Sequence, residues 1–263
     1  MRSMRLAATL LAGVLSAREG FTTEITVAAD PWCPYNCEAD SSQPGFAIEV
    51  LREALAADAI VVRYQVMPWS RAVLEAREGN IAGVVEANAQ TAAKNGLRIG
   101  KEPLGYATFC LFVAADNPLR YRGAGELARL QSIGLVSGYD YGKQFGPELA
   151  RPQLQGRLIR ISGNKTAERL IRMLQSDRIQ GFIENDYVIR YTLARLELQH
   201  SVRSAGCAEP HPGYIAFSAR GNAVHDFTGK LDAGIRRLRA SGRLEQILAR
   251  YNLSDWQLPA ERN

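Results

Sequence analysis

Ile25-Thr26-Val27-Ala28-Ala29-Asp30-Pro31 opens the stretch that decides the fold. A short β-branched run ends at a turn-forming Asp-Pro pair, which reads as a strand entering a loop. Phe46, Ala47, Val50, Leu51, Ala54 and Leu55 then recur at the period of a helix over 46–57. Ile60 to Val66 returns to strand. Trp69, Ala72, Val73 and Ala76 mark a second helix, Gly79-Asn80 stops it, and Ile81 to Val85 is a third strand. Strands alternating with helices make a parallel sheet.

The same rhythm recurs after residue 130. Strands are expected at 132–136, 157–161 and 180–184, with helices around 141–150 and 165–176 between them and a further helix over 186–198. Ala167, Leu170, Ile171 and Leu174 form the apolar stripe of the second helix. Between the two units runs Tyr106 to Ala115, read as one long apolar strand, and a second such run, Tyr214 to Ser218, follows the second unit. Amphipathic helices expected over 223–240 and 243–251 cannot form a third core, so they should return to the first unit. The organisation is therefore an α/β chain of two lobes, residues 22–113 with 214–263 and residues 114–213, joined by two crossings with a cleft between them.

At 263 residues, 46% hydrophobic and 22% charged, the chain is long enough for one large domain or two lobes. A disordered, collagenous or polytopic membrane protein is excluded. The formal charge of +5 is carried by scattered arginine, with no basic block of the kind that binds nucleic acid. Arg2 and Arg5 ahead of Leu6 to Leu15, then Ser16 and Ala17, have the order of a secretory signal, so residues 1–17 are read as a signal peptide and the mature protein as exported. Four cysteines in an exported chain point to disulfides ahead of a metal site. Cys33 is expected to pair with Cys37 inside the first loop. Cys110 is expected to pair with Cys207, since each lies close to a crossing. No metal or cofactor is expected, and His200, His211 and His225 are read as solvated or structural.

Ligands of parallel α/β sheets bind beyond the carboxyl ends of the strands. The loops there carry Asp30, Trp32 and Tyr35; Trp69, Ser70 and Arg71; Glu86, Asn88, Thr91 and Lys94. In the second lobe they carry Ser137-Gly138-Tyr139-Asp140-Tyr141, Ser162-Gly163-Asn164 and Glu184-Asn185-Asp186. Trp32, Tyr35 and Trp69 are expected to frame a planar or cationic ligand. Arg71 and Lys94 would supply positive charge, and Glu184 would face them from the other lobe. Ser137 and Asn164 precede helices whose free amides could hold a carboxylate, although Asp140 and Asn164 could equally serve as caps.

Ala29-Asp30-Pro31-Trp32-Cys33-Pro34-Tyr35, Gly45 to Leu51, Met67-Pro68-Trp69-Ser70-Arg71, Gly79 to Val85, Ile133 to Gly138, Arg178 to Glu184 and Ala240 to Ile247 carry, in order and spacing, a further signal. With them the chain resembles the bacterial extracellular solute-binding protein family 3, the periplasmic components associated with polar amino-acid ABC transporters. The resemblance implies a type II two-lobed fold, each lobe a mostly parallel sheet flanked by helices. It also implies a monomeric, non-enzymatic periplasmic protein that closes on a small polar or charged ligand and delivers it to an ABC permease in the inner membrane. Two departures make the chain atypical. The family's Thr-x-x-Arg carboxylate clamp reads Thr91-Ala-Ala-Lys94, and its aspartate for the α-amino group maps onto Asn185, leaving Glu184 as the nearest carboxylate. Alternative readings are a lyase resembling the cyclohexadienyl dehydratases, with Glu86 or Glu184 as acid or base, and a sensory module acting in trans.

Overall fold

In the computed structural model, which describes residues 22–123, 125–220 and 227–256, the chain opens with β1 (Thr23–Ala29), α1 (Phe46–Ala56), β2 (Ile60–Val66), α2 (Trp69–Glu78), β3 (Gly83–Ala87), α3 (Ala89–Lys94) and β4 (Gly105–Ala107). It continues through β5 (Phe109–Ala114), β6 (Ile133–Val136), α4 (Gly142–Leu149), α5 (Pro152–Gln155), β7 (Leu158–Ile161), α6 (Thr166–Gln175), β8 (Gly181–Asn185), α7 (Asp186–Arg195) and β9 (Val202–Cys207). β10 (His211–Phe217), α8 (Phe227–Ala240) and α9 (Arg243–Ala249) complete it. Two five-stranded sheets result, ordered β2-β1-β3-β10-β4 and β7-β6-β8-β5-β9. β1 is parallel to β2 and β3, and β6 to β7 and β8, while β10 and β5 run against their neighbours. The expected signal peptide, His225 and the start of the helix expected from Ala223 lie outside the described residues.

Periodicity explains why these elements form. The six apolar residues singled out on α1 are all buried, β2 alternates buried and exposed residues as a one-faced edge strand should, and Gly79 closes α2 in a left-handed conformation. The last two described helices return to the first lobe. Arg243 grips Glu53 through Nε and Nη2 at 2.8 and 2.7 Å, and the Tyr251 hydroxyl donates to Glu49 while accepting from the Gly45 amide. α8 lies so close to α1 that a Cβ on Gly234 would stand 2.2 Å from the Ala54 carbonyl oxygen. Gly234→Val is accordingly expected to lower stability by about 1–3 kcal/mol through overpacking. Urea denaturation checks this, and an unchanged midpoint would mean that α8 is free to shift.

The crossings differ from expectation. Tyr106 to Ala115 is not one strand: β4 pairs with β10 in the first sheet and β5 with β8 and β9 in the second, so the chain changes lobes at Thr108. Residues 109–113, expected in the first lobe, belong to the second sheet, and β10 brings the chain back by His211 instead of Tyr214. The return crossing is 208–210, after β9, a strand the sequence reading did not place. Cys33 is bonded to Cys37, and Cys110 to its register partner Cys207. The second bridge ties the two crossing segments together where they enter the second lobe.

Candidate functional site

The carboxyl ends of β1, β3, β6 and β8 converge where the lobes meet. Asp30, at the end of β1, is buried, and its Oδ2 accepts a 2.7 Å hydrogen bond from the hydroxyl of Tyr139, which reaches across from the loop after β6. Tyr139 stands edge-on to both Trp32 and Trp69, its ring centre 6.3 and 6.1 Å from theirs. Trp32 in turn donates from Nε1 to Glu184 Oε1 at 2.9 Å, a second bond between lobes. A third runs from Ser70 Oγ to the Ser137 carbonyl at 3.3 Å, and it needs Gly138: a Cβ there would meet Ser70 Oγ at 2.5 Å, and φ is +81°.

Within this closed cleft lies a cavity of about 40 Å³, well under the roughly 300–1,000 Å³ of small-molecule sites, so a solute can enter only as the lobes part. Its walls are aromatic: Trp32, Trp69, Tyr139, Phe109 and His211, the last stacked on Phe109 at 5.4 Å. Asp30, Asn36, Glu86, Asn88, Thr91 and Asp140 supply polar groups, and among the described residues no lysine or arginine lines it. Glu86 is placed there by an irregularity in β3. Opposite β10 the register slips between Tyr214 and Ala216, and Glu86 takes φ +62° at the bulge, which turns its side chain off the alternation of the strand. Burial is the main influence on all three acids of the cleft: it raises Asp30 to about 6 and Glu86 and Glu184 to about 8. Bonds from Asn185 N–H and Trp32 pull Glu184 the other way, as the Tyr139 bond does Asp30. Burial likewise lowers His211.

No protein-family model matches the sequence, and no curated protein does. Solved structures do. A histidine kinase sensor domain described as similar to periplasmic binding proteins aligns over 89% of this chain and 99% of its own at 17% identity, with a TM-score of 0.72. The fold is that of the periplasmic binding proteins. An ancestral arginine-binding protein bound to arginine (15% identity, 87% of this chain and 97% of that one, TM-score 0.70) shares it. So does ArtJ of Geobacillus stearothermophilus, an arginine-, lysine-, histidine-binding protein (15% identity, 89% and 97%, TM-score 0.70).

Placed on this periplasmic binding protein fold, the expected site residues divide. Asp30, Trp32, Trp69, Glu86, Asn88 and Tyr139 line the cavity. Asn88 also caps α3 by accepting from the Thr91 amide at 2.8 Å. Glu184 sits fully buried behind Trp32, and Tyr35 is a core residue whose hydroxyl bonds the Tyr106 carbonyl and Asn185 Nδ2. Asn185 caps α7 instead of facing the cleft. Lys94 and Tyr141 border an outer groove that adjoins the cavity, sharing Trp69, Thr91, Tyr139 and Asp140 with it, and that also holds Arg160. Arg71 is an exposed residue of α2 with Glu75 as its partner, and Asn164 is exposed and lines no described cavity. Of the amides after β6, that of Ser137 donates to the Ile161 carbonyl and that of Tyr139 to the Val136 carbonyl. His211 and Phe109 were missed as cleft residues; both sit on strands beside the crossings, not in strand-end loops. Among the described residues no group of His, Cys, Asp or Glu side chains is placed to hold a metal ion.

Proposed function

We propose that this is an exported, periplasmic solute-binding protein that closes its lobes on a small polar ligand and hands it, chemically unchanged, to an ABC permease of the inner membrane, acting as a monomer. The observation that carries the reading is the closed cleft itself. Two sheets joined by only two crossings meet face to face through Tyr139–Asp30 and Trp32–Glu184, around an aromatic and acidic cavity. A solute touching both walls favours the closed state by its differential affinity. The binding proteins that share the fold support the reading, and so do two disulfides, which persist in oxidising compartments.

A ligand at 100 times its dissociation constant is expected to stabilise the fold by about 2.7 kcal/mol. A thermal-shift screen of amino acids, amines and small carboxylates should find it, and X-ray scattering should then give a smaller radius with the solute than without. The buried acid of Glu86 is also what a general acid needs, which favours the lyase alternative to that extent. Recovery of the solute intact supports binding, whereas repeated conversion would establish the enzyme. Signalling in place of transport rests on the histidine kinase sensor domain among the fold neighbours, and closure without any effect on uptake in a deletion strain would favour it.

A further inference from the structure

Glu86 is the carboxyl the cavity leaves unanswered, beside the lone unpartnered Oδ1 of Asn36. Both oxygens of its carboxylate are buried and neither has a hydrogen-bond partner. The β3 bulge turns it toward β10, and it fills space available only because residue 213 is glycine, where a Cβ would stand 1.9 Å from Glu86 Oε2. Asp30 lies in the same cavity, with Trp32, Trp69 and Tyr139 as walls. For a ligand carboxylate the cavity offers no described lysine or arginine, and the Tyr139 amide is already bonded to the Val136 carbonyl; Lys94 and Arg160 stand farther out, in the adjoining groove. The cavity thus sets the carboxyls of Asp30, Glu86 and Asp140 before a cation, whereas an anion would meet those same carboxyls and only neutral donors. A buried carboxylate without a partner is unfavourable, and an N–H-bearing cation supplies what it lacks while its carbon chain packs on the rings.

Resting on the solute-binding reading, we infer that the cleft, as its lobes part, takes a small organic cation with N–H donors and no carboxylate, a primary amine or guanidine, its charge on Glu86 and its chain between Trp32, Trp69 and Tyr139. The choice excludes the zwitterionic α-amino acid as best ligand, and it ranks a quaternary ammonium below a primary one, since the former cannot donate to Glu86.

Calorimetry on the full chain, unfolded and refolded to remove any retained solute, should compare agmatine with arginine, cadaverine with lysine, and choline with both amines. Each amine is expected to bind about 10-fold or more tighter than its amino acid, because a carboxylate in the cavity would be desolvated beside Asp30 and Glu86 with no cation to pair it. Glu86→Gln keeps the shape and is expected to weaken amine binding about 30-fold or more. Burial holds the Glu86 carboxyl up to about 8, so at pH 6 a proton must leave before the amine is bound. Affinity should therefore rise from pH 6 to pH 8 in the native protein and much less in Glu86→Gln. The groups facing Glu86 are Asp30, Tyr35, Tyr139, Asp140 and His211, and their own titration is what the variant retains. If arginine or lysine binds more tightly than its amine, or if Glu86→Gln binds as well as the native chain, the inference is overturned and ligand closure stands. It is also overturned if no amine binds while another solute is retained by the purified protein. Conversion of a bound amine would overturn the solute-binding reading itself.

Discussion

Replacing Cys110 and Cys207 together by alanine is expected to lower the free energy of unfolding by about 4–5 kcal/mol, because the bridge closes a loop with a sequence separation of 97 residues. In the chain-entropy argument the cost of leaving a loop open grows with its length. The Cys33–Cys37 bridge, with a separation of 4, should therefore be worth only about 2 kcal/mol. Each bridge joins one buried cysteine, Cys110 or Cys37, to a more accessible one, Cys207 being exposed and Cys33 half-buried, which keeps cavity effects comparable. Urea unfolding of the two double variants, measured by fluorescence and by circular dichroism, checks the ranking. Equal losses would mean that local packing, not loop length, sets what each bridge contributes.

The second large effect is on pH. Asp30 rises from 3.8 to about 6, and Glu86 and Glu184 from 4.5 to about 8, all through burial. Groups held above their unfolded values keep protons that the unfolded chain has already released. Their contribution is thus fully present below about pH 4, is lost as pH rises through the folded values, and changes no further above about pH 8. The slope is at most about 1.4 kcal/mol per pH unit for each group titrating this way. The ligand-free protein should lose several degrees of melting temperature between pH 5 and pH 8, and Glu86→Gln should flatten the decline and melt higher than the native chain at pH 8. A melting temperature that holds or rises over that interval would falsify the placement of these acids in a dry cleft.

Much of this was legible from residue pattern alone. The stripe on α1, the stop at Gly79 and the strand–helix alternation depend on local spacing, which survives into the folded chain with boundaries moved by only a few residues. The break at Thr108 was not legible, because apolar residues continue on both sides and no turn residue marks the change of sheet. β9 was missed because Arg203, Ser204 and Gly206 dilute any strand signal, and it is pairing with β5 that makes it a strand. The strand-end rule found Asp30, Trp32, Trp69, Glu86 and Tyr139, but it has no term for which face of a helix turns away. For that reason Arg71 points to solvent and Lys94 to the outer groove. Nor could spacing reveal the β3 bulge, which exists only relative to β10 and which converts Glu86 from a loop polar residue into a buried acid.

The unequal connections between the lobes have a kinematic consequence. One link is the single residue Thr108, and the other is three residues whose leading end, at Cys207, is bonded to Cys110 just beyond the first. Two short tethers leaving one clamped point suppress sliding and twisting and leave a swing about the line through Thr108 and Ala208–Pro210 as the free coordinate. Closure is then a one-dimensional motion, so a single distance read between one label on the outer face of α2 and one on α4 tracks the whole transition, and its distribution should move as a unit with no third population.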